Sequence, residues 1–568
     1  MAGSAHAPGQ NRPVHALCID SRQHTRKRRT ISTTCAWVSF CSACEGFFPL
    51  YSFGTSTKEV RVFMFTPSLT EVQSLAKSYS LIPVRMTLLA DQETPIRLYQ
   101  KIRTPHSFLL ESVEGGSRWA RYSFIGLNPF QTVEATGNLI AVKKRNGEQF
   151  TLEGNPVHYL REEMERYKSP KLSHFPRLSG GAVGFFGYNT LHYFEQLPRH
   201  RQDSLELPDM RFLFADEIIA FDHLKQEIQL IVNLHVETDD TPERISEKYA
   251  AVCSRLEELA VRVTAPGQDR NQRLPLGEVP ARKIAVESNM SREAYEKMVE
   301  AAKSYIAAGD IFQVVLSQRF RAATEVDPFS VYRVLRTLNP SPYMYVLQYD
   351  QETIVGTSPE LLVRVENGKV EMRPIAGTRK RGSSAEEDAR LAEDLLNDPK
   401  ERAEHYMLLD LGRNDVGRVS RYGSVQVEEA LVIENYSHVM HMVSHVTGQL
   451  REDAHPFDAL LSAFPAGTVS GAPKLRAMEI IAELEPDSRH LYAGAIGYLA
   501  FDGTMDTCIT IRTLLFQGGY AYVQAGAGIV ADSDPAAEYQ ESVNKAAAML
   551  AALEKAEQLF ARKEEPIC

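Results

Sequence analysis

Strand-like stretches recur along this chain without the regular strand–helix alternation that builds a parallel doubly wound sheet or an α/β barrel. SFLLESVEG, YSFIGLNP, LIAVKK, GGAVGFFGY, EIIAFDH and IQLIVNLHV lie in the first half, and TIVGTSP, AGAIGYLAF, CITIRTLLF and YAYVQAGAG in the second. Each is rich in β-branched or aromatic residues and bounded by turn residues. Long helices are interspersed. TPERISEKYAAVCSRLEELAVRV is amphipathic, and Ser291 can cap a helix whose apolar positions Tyr295, Met298, Val299, Ala302, Tyr305 and Ile306 share one face before Gly309 ends it. The pattern predicts an α+β fold: large, mainly antiparallel sheets packed as a sandwich with flanking helices. The polar stretch APGQDRNQRLPLGEVPARK reads as a linker over 264–285, between a domain at 64–263 and another at 286–562.

Charge is divided unevenly. The first 63 residues hold eight basic and three acidic side chains and four of the seven Cys, whereas the whole 568-residue chain has a net charge of −10. RQHTRKRRT precedes the apolar CAWVSFCSACEGFFPLYSF, an order shared with secretory signals, but Glu45 interrupts the apolar run and no small-residue cleavage site is clear. The Arg-rich, acid-poor composition is also that of an organelle transit peptide. The reading adopted is that translation starts at Met64 and that 1–63 is a disordered N-terminal extension. The remainder is acidic, which argues against a nucleic-acid binder, and has no apolar run of the ~20 residues that span a bilayer. Few, scattered Cys match a reducing compartment, so the expectation is a cytoplasmic protein without membrane attachment.

Two helices begin alike. Asp398-Pro399 and Asp534-Pro535 each place an N-capping carboxylate before a Pro at the first helical position. Glu401 and Glu404 follow in one, Glu538 and Glu541 in the other, so each helix carries two carboxylates three residues apart on one face. One such pair is ordinarily solvated surface. Two pairs, continuing into HYMLLDLGRND and following QAGAGIVADSD, suggest a Mg²⁺ site that is completed by water and an anionic substrate. GTVSGAPK, from Gly467 to Lys474, lacks the spacing and the Ser/Thr of a P-loop, and Gly526-Ala527-Gly528 does not open a helix at once as a dinucleotide fingerprint does. Glycine-exposed backbone beside Arg512 and Lys545 points instead to a pocket for a small polycarboxylate. No Cys lies in a glutaminase-like G-x-C-x-G setting and no G-x-S-x-G elbow occurs, so the chain is not expected to release ammonia from glutamine itself.

PIAGTRKRG, AEHYMLLDLGRNDVGRV, SHVMHMVSHVTGQL, FPAGTVSGAPKLRAMEII, GAIGYLAFDGTMDTCITIRT and QAGAGIVADSDPAAEYQESVNKA together closely resemble anthranilate synthase component I, a chorismate-utilising family, over residues 64 to about 560. The resemblance implies conversion of chorismate and ammonia to 2-amino-2-deoxyisochorismate, then loss of pyruvate to give anthranilate for tryptophan synthesis. It also implies Mg²⁺, a hetero-oligomer with a glutamine amidotransferase subunit that supplies ammonia, and feedback inhibition by L-tryptophan.

Two positions separate the relatives. Water-adding isochorismate and salicylate synthases carry a Lys base where this chain has Gln313. Aminodeoxychorismate synthases typically carry a Lys nucleophile where it has Ala376. Aminodeoxychorismate synthase component I and a catalytically inactive tryptophan-binding regulatory protein remain the alternatives.

By resemblance, Glu360 is the general acid for the C4 hydroxyl of chorismate and His441 assists pyruvate elimination, with Thr378 and Gln313 beside them. Gly377, Thr378, Tyr492, Arg512, Gly526, Ala527, Gly528 and Lys545 match the substrate-binding positions. Glu404 and Glu541 match the Mg²⁺ ligands, with Glu401 and Glu538 nearby. Ser112 in LLES, with Pro342, Tyr343 and Met344 in NPSPYM, matches the tryptophan site, Glu111 and Cys508 lying close; the 64–263 domain is thereby expected to be regulatory.

Overall fold

Two antiparallel sheets of 13 and 12 strands carry the fold in a computed structural model that describes residues 64–112, 121–266, 283–436 and 439–560. The leader and most of the expected linker lie outside these residues. The α+β expectation holds: every strand ladder is antiparallel, and helices cover the outer faces.

Each sheet is assembled from both parts of the chain. In the first sheet the N-terminal strands end at Ser107–Glu111, which pairs with Tyr343–Gln348 of the C-terminal set. In the second, Gly181–Phe186 pairs with Ala495–Ala500. The segments 64–263 and 286–562 thus contribute to both sheets, because each would otherwise leave an open strand edge in each layer. These two strand pairs form a seam.

Three apolar layers follow. Val183, Phe185 and Leu213 of one sheet meet Ile218, Tyr345 and Leu347 of the other between the layers. Helices Pro242–Thr264, Pro328–Leu338 and Pro535–Phe560 pack on the outside of the first sheet. Helices Pro399–Val419 and Pro456–Ala463 do so on the second, while Lys474–Leu484 packs on the first-sheet strand Gln313–Ala323. Local chemistry sets helix ends: Ser291 caps helix Arg292–Ala308 and Gly309 closes it at φ +85°, as expected, and Thr241 caps Pro242–Thr264 through its side-chain oxygen. Tyr295, Met298, Val299 and Ala302 are its buried face. Among the described residues no helix is long and apolar enough to cross a membrane.

Candidate active site

Glu360 lies where the chain passes from a strand of the first sheet, Glu352–Ser358, to one of the second, Leu361–Glu366. The passage is pinned by Ile509 N–H donating to the Glu360 carbonyl at 3.1 Å. Its side chain is buried, and Thr468 Oγ1 donates to Oε1 at 3.1 Å. Burial pushes the Glu360 carboxyl up to about 8, although Thr468, Arg512 and Lys545 each favour the ionised form. A carboxylic acid that is neutral at pH 7 can give a proton to a leaving group.

His441 on strand Val439–Gln449 sits directly opposite Thr378 on strand Ile375–Lys380. Its Nδ1 is 3.0 Å from Thr378 Oγ1 and 3.2 Å from the Gly377 carbonyl. The carbonyl requires a proton on Nδ1, which assigns the tautomer and leaves the lone pair on Nε2. Burial holds the imidazole below its ordinary value, and Arg512 adds to the effect. A bulge at Gly377 makes this contact: the register shifts between Ala376 and Thr378, and Gly377 has φ +66°. The positive φ is what favours glycine, since a Cβ there would meet only the movable ends of the Leu395 and Glu401 side chains, at 2.9 and 3.0 Å.

The four expected metal carboxylates occupy two helices, and Lys400 and Lys545 act electrostatically on carboxylates of both. Asp398 caps helix Pro399–Val419 by accepting from Lys400 and Glu401 N–H, and Asp534 accepts from Ala537 N–H at the start of Pro535–Phe560. Glu404 is raised by burial and by neighbouring Glu401, while Lys400 and Lys545 pull it down. Glu538 is raised by burial and by Glu541, and the same two lysines oppose this. Glu401 is bonded to Arg379, and Glu541 pairs with Lys545 at 2.8 Å. Gln313 Nε2 donates to Glu404 Oε1 at 3.4 Å, and its own buried Oε1 has no partner. Like-charged, partly desolvated carboxylates beside an unsatisfied amide oxygen fit a hard divalent cation. They are not gathered into a compact ligand set; among the described residues the three acidic groups close enough for one are Glu237, Asp239 and Asp240, a cluster paired with Arg244 and Lys248.

The strand Tyr520–Ile529 brings Gly526 to Gly528 against Val315 to Ser317. Gly528 is bare because Gln313 lies over it: a Cβ would be 2.7 Å from Nε2. Lys545 reaches back from the last helix to donate to the Gly526 carbonyl at 3.1 Å. Arg512, at φ +49°, acts electrostatically on both Glu360 and His441. Tyr492 is the outlier among the expected substrate residues. It is buried one step behind, its N–H on the Arg489 carbonyl and its ring over the Arg489 guanidinium.

Ser112, Pro342, Tyr343 and Met344 all line one cavity of about 610 Å³ at the seam, with Glu111 and Cys508 also in its wall. Glu111 faces Met344 across the seam and accepts from Tyr332 at 2.6 Å and from Arg336 at 3.4 Å. Tyr343 donates to Asp506 at 2.9 Å, and Asp506 holds Arg364 at 2.8 Å. Pro359, Leu361 and Tyr436 also line the cavity; the first two flank Glu360, and Tyr436 packs edge-on to His441 at 5.4 Å.

Sequence reading missed Thr468 as the partner of Glu360, although it stands inside GTVSGAPK, because nothing local to that stretch says which strand it lies against. Arg379, which bonds Glu401 and Asp398, was missed for want of any periodic signal.

A buried carboxyl under the electrostatic influence of Arg512 and Lys545, and a histidine fixed across a bulge, make up the candidate site. Residues 107–551 match the model of the chorismate binding enzyme family. The chain is 52% identical over 496 residues to anthranilate synthase component 1 of Acetivibrio thermocellus, covering 87% of this chain and 99% of that protein. The crystal structure of anthranilate synthase component I from Streptococcus pneumoniae TIGR4 superposes with a TM-score of 0.67 at 38% identity, covering 82% of this chain and 99% of that one. The menaquinone-specific isochorismate synthase of Escherichia coli, at 18% identity and a TM-score of 0.61 over 86% of this chain and 99% of its own, shares the fold. The chain belongs to the anthranilate synthase component I family of chorismate-binding enzymes.

Proposed function

We propose that this protein converts chorismate and ammonia to anthranilate and pyruvate, in the cytoplasm, with ammonia delivered by a separate glutamine amidotransferase subunit in a hetero-oligomer. The observation that carries the reading is Glu360, held as a neutral acid up to about pH 8 beside Arg512 and Lys545. Arg512, Lys545 and the strand segment Gly526 to Gly528 bind the two carboxylates of chorismate and orient its ring. Glu360 gives its proton to the departing C4 hydroxyl as ammonia adds at C2. His441, fixed through Nδ1 by Gly377 and Thr378, takes a proton at Nε2 as pyruvate leaves and the ring becomes aromatic. Glu404 and Glu541, with Glu401 and Glu538 behind them, would hold Mg²⁺, which when bound offsets the substrate's negative charge. Gln313 stands where the water-adding relatives carry a lysine base, which supports ammonia as the nucleophile.

We further read the seam cavity as the inhibitory tryptophan site. Its volume suits an amino acid with a large side chain, Glu111 supplies a carboxylate for an α-ammonium group, and Pro359, Leu361 and Tyr436 connect its wall to Glu360 and His441. The test of the whole reading is to supply nitrogen in two forms. The chain alone with chorismate, Mg²⁺ and ammonium salts is expected to form anthranilate, whereas glutamine serves only after the amidotransferase subunit is added. Turnover of glutamine by the chain alone contradicts this reading.

A further inference from the structure

Beneath the candidate active site lies a completely buried ion pair, Arg489 with Glu485. Four of the five guanidinium N–H donors are committed: Nε to Glu485 Oε2 at 2.8 Å, Nη2 to Glu485 Oε1 at 2.6 Å and to the Val315 carbonyl at 2.7 Å, and Nη1 to the Val469 carbonyl at 2.7 Å. The rings of Tyr188 and Tyr492 lie 5.0 and 5.4 Å from the guanidinium carbon. Glu485 in turn accepts from Ser317 N–H at 2.7 Å and Ser317 Oγ at 2.9 Å. Burial alone would push this carboxyl up, but Arg489 holds it down to about 2, so the pair is fully ionised.

We propose that Arg489, held by Glu485, is the positioning residue that locks the Thr468 contact on Glu360, the strand bearing Gln313 and the ring of Tyr492 into one geometry. The inference rests on the chorismate reading. Val469 adjoins Thr468, whose hydroxyl is the side-chain hydrogen-bond donor to Glu360. Val315 lies two residues from Gln313 and opposite Gly528, and its N–H donates to Ser470 of the same loop at 2.8 Å. One planar fork therefore ties loop to strand across the floor of the site. Burying an ion pair is a poor way to gain stability when apolar packing would serve. What the guanidinium adds is direction, because its donors diverge at fixed angles that a lysine ammonium does not reproduce.

The inference is tested with Arg489→Lys, Thr468→Val and the double variant, assayed for anthranilate formation between pH 6.5 and 9 at constant free ammonia and saturating Mg²⁺. Circular dichroism and melting establish folding. Arg489→Lys is expected to lower kcat by about 10- to 100-fold. It also moves the alkaline limb of the pH profile to higher pH, because Glu360 loses a donor that favours its ionised form while Arg512 and Lys545 are left in place. Thr468→Val moves the limb in the same direction by the same amount, and the double variant goes no further. A folded Arg489→Lys protein with the wild-type limb, or additive limb shifts, overturns the proposal. Should Arg489→Lys not fold, Ser317→Ala, which takes hydrogen bonding from Glu485 without removing charge, is expected to give a smaller shift of the same sign, and an unmoved limb overturns it equally. Wild-type protein that forms no anthranilate contradicts the chorismate reading instead, so the two failures are told apart.

Discussion

Thr378 and His441 face each other across an antiparallel strand pair, 3.0 Å from Oγ1 to Nδ1, only because Gly377 bulges out between Ala376 and Thr378. Without the bulge the ladder would leave the Gly377 carbonyl pointing along the sheet, and the imidazole would lose the acceptor that fixes its tautomer. Gly377→Ala is therefore expected to reduce anthranilate formation by about 10²-fold while the fold survives. Steady-state kinetics with a melting curve check this, and near-wild-type kcat would mean that the bulge does not set the histidine.

Glu360→Gln removes the acid and keeps the shape. Chorismate consumption is expected to stop. The folded-state carboxyl sits at about 8 against an ordinary value near 4.5, so the wild-type protein gives up stability as pH rises from about 4.5 through 8, where the unfolded chain ionises first. Glutamine has no such term. The melting temperature of the variant should exceed that of the wild type by a margin that grows over this interval, reaching roughly 3–5 kcal/mol in stability at its upper end. A margin independent of pH would show that Glu360 is not held neutral by burial.

Buried His405 carries the opposite dependence. Its Nε2 lies 2.6 Å from Ser444 Oγ, and burial depresses the imidazole from 6.5 to about 4. Stability is complete above pH 6.5 and declines as the pH falls toward 4, because the unfolded chain takes up the proton first. Denaturant midpoints between pH 7 and 4.5 measure this, and His405→Asn should flatten the slope.

Most of the fold was legible because it is written in local signals. Thr241, Ser291, Asp398 and Asp534 all cap where their side chains and spacing require, and the strand segments appear where β-branched runs lie between turns. The seam was not legible. Ser107–Glu111 and Tyr343–Gln348 are separated by more than two hundred residues, and nothing local to either strand states its partner. Motif resemblance supplied Glu360, His441 and Gly377 with Thr378, and the structure puts the last three in contact; it supplied neither Thr468 nor Arg489, whose places depend on main-chain carbonyls and on which loop lies beneath which strand.

The carboxylates on these two helices yield a metal prediction. Glu404→Gln should raise the Mg²⁺ concentration needed for half-maximal activity at least about tenfold. Mg²⁺ should also raise the melting temperature of the wild type more than that of the variant. Equal thermal responses would place the cation elsewhere.

The seam cavity makes a separable prediction. Tryptophan should stabilise the protein by ~2.7 kcal/mol at a hundredfold excess over Kd. Ser112→Ala should weaken both this shift and inhibition while leaving uninhibited kcat unchanged. Inhibition that persists at wild-type strength in Ser112→Ala would move the inhibitory site away from the seam.

The most direct measurement is the identity of the product. Purified protein given chorismate, ammonium and Mg²⁺ should yield the fluorescence and mass of anthranilate, with one pyruvate released for each anthranilate formed. Accumulation of aminodeoxychorismate or isochorismate, with no anthranilate and no pyruvate, would contradict the account.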